Sequence, residues 1–178
     1  TVVVTDQKEG YKQPSSTIGN KTNTPNLEVA QSVQIVPREV IEDQSAVTLT
    51  EAVRNVAGVG SDFGFNGSAQ PLLVMRGFSS QSMNASGQMS GGSTYYLNGV
   101  KVNGLPVNMA NVESVEVVKG PSSVLYGRAE PGGLINVVPR ALTKEKHFGF
   151  EQTIGQYGLS RTAFNGGGAL NEDKTLLG

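Results

Sequence analysis

The sequence contains no cysteine, no tryptophan and a single histidine, His147. The lack of cysteine excludes thiol catalysis, thiolate metal sites and a disulfide framework. No Gly-x-Ser-x-Gly or His-Glu-x-x-His motif occurs, and no nucleophile, base and orienting group can be assembled from the motifs that are present. The sequence therefore predicts a protein that is not an enzyme.

Long hydrophobic runs and an excess of charge are also missing. No segment approaches the ~18 consecutive apolar residues of a membrane-spanning helix. The 14 Lys and Arg residues are balanced by 15 Asp and Glu residues, which leaves no electrostatic basis for binding nucleic acid. Glycine is abundant, with 23 residues in a chain of 178, and 37% of the residues are hydrophobic. This composition favours a β-rich binding protein that is long enough to bury a core without a metal or a cross-link.

Up to about residue 140, strand and helix patterns are interspersed. Residues 32–36 alternate between polar and apolar side chains, which is typical of a half-buried strand, and a short helix is predicted at 38–44. Thr48 and Glu51 form a capping-box pattern at the start of a second helix. Asn98-Gly99 lies between two β-prone runs and predicts a hairpin with a type I′ turn. These patterns indicate the α+β class, with small mixed β-sheets and short helices.

Three more strands are predicted at residues 71–75, 114–118 and 134–138. Between the first of these and the hairpin, residues 79–93 are rich in serine, glycine, methionine and asparagine and show no periodicity. We therefore expect this segment to form a long exposed loop.

The pattern changes at His147. Phe148, Phe150 and Ile154 alternate with small and polar residues, and short polar turns follow. Strands of about ten residues with alternating faces are typical of a transmembrane β-barrel. A soluble antiparallel meander has the same pattern. The sequence stops within a β-prone stretch, from which we expect a truncated protein.

Two short features call for a partner. Arg76 and Lys119 each follow an apolar predicted strand and precede a glycine, and burying such a charge without a counter-charge is costly. They are either solvated strand ends or pair with carboxylates outside this segment.

Residues 1–5 form a β-branched run before a polar segment. This run is either a strand that awaits a partner or an ordinary edge strand or frayed terminus.

Several motifs, taken in order and spacing, resemble those of one known family. They are Thr1-Val2-Val3-Val4-Thr5, Gln31 to Val36, Leu49 to Val53, Arg76-Gly77-Phe78, Tyr96 to Lys101, Val115 to Pro121, Val124 to Arg128 and Pro131 to Asn136. Together they resemble the plug domain of TonB-dependent outer-membrane receptors, and are most similar to the ferric-siderophore branch that includes the ferrichrome receptor. The resemblance covers essentially the whole chain.

The resemblance implies three parts. Residues 1–26 would be the TonB box and a flexible periplasmic segment, residues 27–142 the plug, and residues 147–178 the first two or three strands of a transmembrane β-barrel. The whole protein would be a receptor and transporter for ferric siderophores in the outer membrane of a Gram-negative bacterium. It would have no cofactor, and its barrel would contact membrane lipid. TonB, with ExbB and ExbD at the inner membrane, would supply the energy.

The resemblance also assigns roles to individual residues. Thr1, Val2, Val3, Val4 and Thr5 would be the TonB box. Arg76 and Lys119 would form a latch with two glutamates of the barrel wall, although arginine is common in the family at the position of Lys119. Apical loops would provide ligand contacts from Phe63, Phe65, Asn66, Gly87, Gln88, Tyr95, Asn103 and Leu105. The apical arginine and tyrosine of the ferrichrome receptor have no counterpart here, and the two phenylalanines could instead pack against the barrel.

Two alternatives remain at this level. A soluble periplasmic or surface β-rich binding module would share the composition and the strand pattern. Within the family, cobalamin, haem or a carbohydrate could replace the siderophore as the ligand.

Overall fold

The computed structural model describes residues 16, 28, 31–61, 73–79, 81–83, 89–91, 95–102, 107–120, 131–141, 146–169 and 176–177. Contacts within the chain divide it into two units, Thr1–Pro139 and Arg140–Gly178. None of the helices in the described ranges has the length and hydrophobicity needed to cross a bilayer.

The first unit contains short helices and strands. Its helices are α1 (Arg38–Asp43), α2 (Leu49–Ala52) and a 3-10 helix (Met109–Asn111). Its strands are β1 (Ser32–Pro37), β2 (Val59–Ser61), β3 (Leu73–Met75), β4 (Phe78–Ser79), β5 (Gln81–Met83), β6 (Met89–Gly91), β7 (Tyr95–Leu97), β8 (Val100–Lys101), β9 (Val112–Lys119) and β10 (Gly133–Pro139).

A five-stranded sheet with the order β1-β9-β10-β7-β8 organises this unit. Strand β9 pairs antiparallel with both β1 and β10, whereas β10 and β7 are parallel. Strands β2, β3 and β4 form a separate sheet. The predicted α+β class with small mixed sheets is confirmed.

The segment predicted to be a long loop contains two strands. Strands β5 and β6 pair antiparallel from Gln81↔Gly91 to Met83↔Met89, so the prediction of a long exposed loop over residues 79–93 was wrong for these two strands. Strands of three residues are too short to display a hydrophobic period, and their stability comes from backbone pairing that composition does not reveal.

One face of the five-stranded sheet packs against the helices. Val115, Val117 and Ile135 from the sheet share a hydrophobic cluster with Ile41 of α1 and Leu49 of α2. Helix α2 begins with the predicted capping box, in which Thr48 accepts from the Glu51 backbone and the Glu51 carboxylate accepts from the Thr48 backbone. These exchanged bonds satisfy main-chain donors that have no partner inside the helix. The sheet is therefore covered by helices on this face.

The second unit is an antiparallel sheet. Strand β11 (His147–Ile154) pairs along its whole length with β12 (Ser160–Ala169), which also pairs with β13 (Leu176–Leu177). Phe150 lies opposite Phe164, with 5.2 Å between the ring centroids. Because side chains alternate across a strand, Phe148 lies on the same face as Phe150. One face of this sheet is therefore aromatic and exposed.

Glycines allow the main chains of β3, β9 and β10 to come close together. A Cβ atom at Gly132 would collide with the carbonyl oxygen of Met75 and lie 3.1 Å from the Cβ of Phe78. A Cβ at Gly133, which has φ 136°, would collide with the carbonyl oxygen of Val118. Because the two carbonyl oxygens are backbone atoms, they cannot rotate away as a flexible side chain would.

We expect Gly132→Ala to lower the free energy of unfolding by about 1–3 kcal/mol, because the added methyl group overpacks a backbone contact. Gly60→Ala in β2 is the matched control. A Cβ there meets nothing within 4 Å, so its effect should stay within about 0.5 kcal/mol. Denaturant unfolding followed by circular dichroism measures both variants, and equal effects of the two substitutions would contradict the close approach.

Candidate functional site

Arg76 projects from a tight turn between β3 and β4. Met75 pairs with Phe78, which leaves Arg76 and Gly77 as the two turn residues, with φ values of 51° and 83°. Two left-handed residues in succession match the right-handed twist of the strands that they connect. The Arg76 backbone N–H donates to the carbonyl oxygen of Gly58 at 3.0 Å. The turn therefore fixes the backbone from which the guanidinium extends.

Lys119 is brought next to this turn by the end of β9. The following residue, Gly120, has φ 107°, and a Cβ atom there would lie 3.3 Å from Nη1 of Arg76. The guanidinium thus rests against the main chain beside Lys119. Gly120 is held in turn by its N–H, which donates to the carbonyl oxygen of Gly132 at 3.0 Å. The structure brings together the two cations that the sequence places 43 positions apart.

The two cations repel each other. Burial and the positive charge of Arg76 lower the pKa of Lys119. The Lys119 ammonium donates to Oε1 of Gln34 at 3.1 Å, but an amide oxygen supplies no counter-charge. Neither cation has a carboxylate partner among the residues that the structure describes. An arrangement of this kind attracts an anion, because a nearby negative charge stabilises both charged forms.

Arg38 is a buried arginine whose structural role sequence reasoning missed. It is buried, pairs with Glu42 at 2.5 Å, and donates from Nη1 to the carbonyl oxygens of Met109 (2.6 Å) and Val112 (3.2 Å). It thereby ties α1 to the start of β9. Gln34, the partner of Lys119, was missed too, because an alternating pattern suggests that its polar side chain points to solvent. The register places it opposite the buried Val117.

Tyr95 was expected to lie in an apical loop, but the structure places it in a buried strand. It belongs to β7, only 4% of it is exposed, and its side chain is part of the main hydrophobic cluster. The sequence signal for a strand at this position was correct, and it conflicts with a role in an exposed loop because a ring buried in the core offers no surface to a ligand.

The other predicted site residues lie outside the described part of the chain. They are Thr1, Val2, Val3, Val4, Thr5, Phe63, Phe65, Asn66, Gly87, Gln88, Asn103 and Leu105. Within the described ranges, no group of three or more His, Cys, Asp or Glu residues is placed to hold a metal ion.

Comparison with known proteins gives consistent matches. The profile of the TonB-dependent receptor plug domain matches residues 25–134. The ferrioxamine B receptor of Salmonella typhimurium is 35% identical over 147 residues, which cover 79% of this chain and 19% of that receptor. The ferrichrome outer membrane transporter/phage receptor of Escherichia coli is 32% identical over 163 residues, covering 89% of this chain and 21% of that transporter.

A solved structure agrees with these sequence matches. The siderophore receptor PiuA from Acinetobacter baumannii superposes with a TM-score of 0.76 at 28% identity, over 90% of this chain and 22% of that receptor. The chain spans about a fifth of the length of the curated relatives that it matches. The family profile covers more than half of the chain, including β1, the Arg76 turn and Lys119. The chain belongs to the TonB-dependent receptor plug domain family.

Proposed function

We propose that this chain is the plug and the opening barrel strands of an outer-membrane receptor that imports ferric siderophores into a Gram-negative bacterium, with energy supplied through TonB, ExbB and ExbD. The observation that carries this proposal is the presence, in one chain, of a plug fold and of an antiparallel sheet with an exposed aromatic face. The relatives that it matches are named as receptors for ferrioxamine B and ferrichrome, which supports a siderophore as the ligand.

The aromatic face of β11 and β12 supports a membrane location. Phe148 is 78% exposed, Phe150 59% and Phe164 69%. Contiguous exposed aromatic residues are unfavourable in water and mark a surface that another apolar phase covers. The same face also carries Ile154 and the hydrogen-bonded pair Gln152 and Thr162, whereas the opposite face carries Glu151 and Asn165. An apolar face towards lipid and a polar face towards the lumen is the alternation of a transmembrane barrel strand.

The Arg76–Lys119 pair supports a latch between plug and barrel. A barrel of roughly 22 strands has an open lumen and requires a plug that is held in place. Two glutamates on the barrel wall would supply the negative charge that this pair attracts. Lys119 provides a point charge and not the planar fork of an arginine, so its half of the latch makes fewer directed hydrogen bonds.

Energy coupling is assigned to residues 1–5, the TonB box. Its run of β-branched residues suits addition as a strand to a partner sheet, in which backbone hydrogen bonds provide most of the affinity. A ligand bound outside would release this strip into the periplasm, and a pull on it would rearrange or withdraw the plug.

The ligand is proposed to be a ferric siderophore of the hydroxamate or mixed-ligand type. Iron in such a complex is cargo and is already fully coordinated, so recognition requires aromatic and amide contacts and no metal ligand from the protein. Phe63, Phe65, Asn66, Gly87, Gln88, Asn103 and Leu105 remain the proposed contacts.

Val3→Pro is expected to block uptake while the siderophore still binds, because proline removes a backbone donor and cannot pair within a sheet. The measurement is transport of radiolabelled ferric siderophore into cells, alongside binding at the cell surface. Val3→Ile, which keeps the β-branched side chain and the N–H, is the matched control and should transport normally. Unimpaired uptake by Val3→Pro would count against residues 1–5 as the coupling site.

Arg76→Ala is expected to loosen the plug and increase the entry of a large antibiotic into cells that carry the full-length receptor, since one positive charge of the latch is lost. Arg54→Ala removes an exposed arginine of the same unit and serves as the control. Lys119→Arg should instead reduce the entry of the antibiotic, because an arginine at this position adds a planar fork that can bind a carboxylate with two hydrogen bonds. Equal permeability of the Arg76 and Arg54 variants would argue against the latch.

Titration of the full-length receptor with a panel of ferric siderophores, read by tyrosine fluorescence and by growth rescue under iron limitation, tests the ligand class. We expect saturable binding of a ferric hydroxamate. Exclusive binding of cobalamin, haem or a carbohydrate would replace the siderophore within the same family. A full-length product that stays soluble without detergent would favour a binding module with no role in transport.

A further inference from the structure

The hairpin of β7 and β8 has Asn98-Gly99 at its tip. Leu97 pairs with Val100 and Tyr96 with Lys101, so these two residues form the whole turn, and their φ values are 49° and 78°. The type I′ geometry predicted from the dipeptide is confirmed. The backbone N–H of Asn98 donates to the carbonyl oxygen of Val137 at 2.9 Å, which joins the hairpin to β10.

An exposed Asn-Gly dipeptide such as Asn98-Gly99 is prone to deamidation. The backbone nitrogen of the glycine can attack the side-chain carbonyl carbon of the asparagine. A bond from nitrogen to Cγ forms, the bond from Cγ to the amide nitrogen breaks, and ammonia leaves with the proton that the glycine nitrogen gives up. Water then opens the resulting succinimide to aspartate or isoaspartate. Glycine favours this reaction because it has no side chain to obstruct the attack.

Asn136 holds the nitrogen that would attack. The Gly99 N–H donates to Oδ1 of Asn136 at 2.9 Å, and Nδ2 of Asn136 donates to Oε2 of Glu116 at 2.9 Å. Asn136 and Glu116 lie opposite each other on β10 and β9 and are only 2% and 3% exposed. The buried Glu116 carboxylate therefore accepts from the buried Asn136 amide. The oxygen of that amide accepts from the Gly99 N–H, whose proton must be removed for deamidation.

We propose that Asn98 is a deamidation site whose reaction Asn136 slows by holding the Gly99 N–H, with support from Glu116. The attacking species is the deprotonated Gly99 nitrogen, and the hydrogen bond to Oδ1 stabilises the protonated form. The negative charge of Glu116 polarises the Asn136 amide, which strengthens its oxygen as an acceptor. The same charge makes an anion at the Gly99 nitrogen less favourable. The hydrogen bond also fixes the plane of the Gly99 amide and restrains its rotation towards Cγ of Asn98.

This protection matters for the hairpin because isoaspartate adds a carbon atom to the main chain. A turn with one extra main-chain atom cannot keep the two-residue geometry, so the Leu97–Val100 pair and the strand that follows would shift. The inference concerns the chemical lifetime of the plug and does not depend on the proposed ligand or on energy coupling.

The sequence supplies its own reference sites, since Asn66-Gly67, Asn103-Gly104 and Asn165-Gly166 are the other Asn-Gly dipeptides. The full-length protein is incubated at mildly alkaline pH, native and in denaturant, and peptide mass spectrometry gives the deamidation rate at each dipeptide. We expect Asn98 to react much more slowly in the native protein than in the denatured one. Equal rates in the two states would overturn the proposal.

Variants separate the hydrogen bond from the turn itself. Asn136→Ala should accelerate deamidation at Asn98 several-fold to about tenfold, the factor that one hydrogen bond represents, with no change at Asn165. Asn108→Ala, which removes an asparagine that accepts from the Ala110 backbone at 3.0 Å, is the matched control and should leave Asn98 unchanged. An unchanged deamidation rate at Asn98 in a folded Asn136→Ala variant would refute the protection of Asn98 by Asn136.

If Asn136→Ala destabilises the unit, deamidation will accelerate at all of its Asn-Gly dipeptides. In that case Glu116→Gln tests the proposal. This variant keeps an oxygen to accept from Asn136 but removes the charge. We expect an acceleration of at least about twofold at Asn98 only. No acceleration at Asn98 would overturn the part assigned to Glu116 and, with the first variant unfolded, the proposal as a whole.

Discussion

The close approach of three main-chain segments is the constraint on which the site depends. Gly132 and Gly133 let the start of β10 contact the carbonyl oxygens of Met75 and Val118. The turn after β3 lies beside the end of β9 in the same region, where Arg76 rests against Gly120. The resulting juxtaposition of two positive charges is unfavourable within the plug by itself and becomes favourable when an anion approaches. In the proposed receptor, such an arrangement would allow the plug to be held in place and released.

The five-stranded sheet performs two tasks on its two faces. One face packs on the helices and supplies the hydrophobic core. The other carries the buried Glu116–Asn136 pair beside a small cluster formed by Tyr96, Val118 and Leu134. Burial raises the pKa of Tyr96 on that face. Buried polar groups require partners with well-defined geometry, so this face specifies the position of the hairpin more tightly than hydrophobic contacts would.

The second unit obeys a different rule. Its exposed aromatic residues would be unfavourable in water, and they share one face of β11 and β12, where Phe150 lies opposite Phe164. In the proposed receptor, lipid covers this face. The plug needs no such surface, because it would lie inside a polar lumen. In the proposed receptor, this difference would account for a composition that resembles that of a soluble protein.

Local patterns in the sequence were sufficient for features that depend on neighbouring residues. The capping box at Thr48, the type I′ turn at Asn98-Gly99 and the alternation after His147 were all predicted, because propensity and hydrogen bonding over a few residues decide them. Arg76 was singled out by its position after an apolar strand, and its role in a latch remains a proposal.

Tertiary structure decided what depends on distant segments. The meeting of Arg76 with Lys119 requires the approach of strands that are far apart in sequence, and the burial of Tyr95 requires the parallel pairing of β7 with β10. The pairing of Asn136 with Gly99 and with Glu116 arises from the same sheet register. No local pattern encodes these contacts, because a register joins residues according to the packing of the whole sheet.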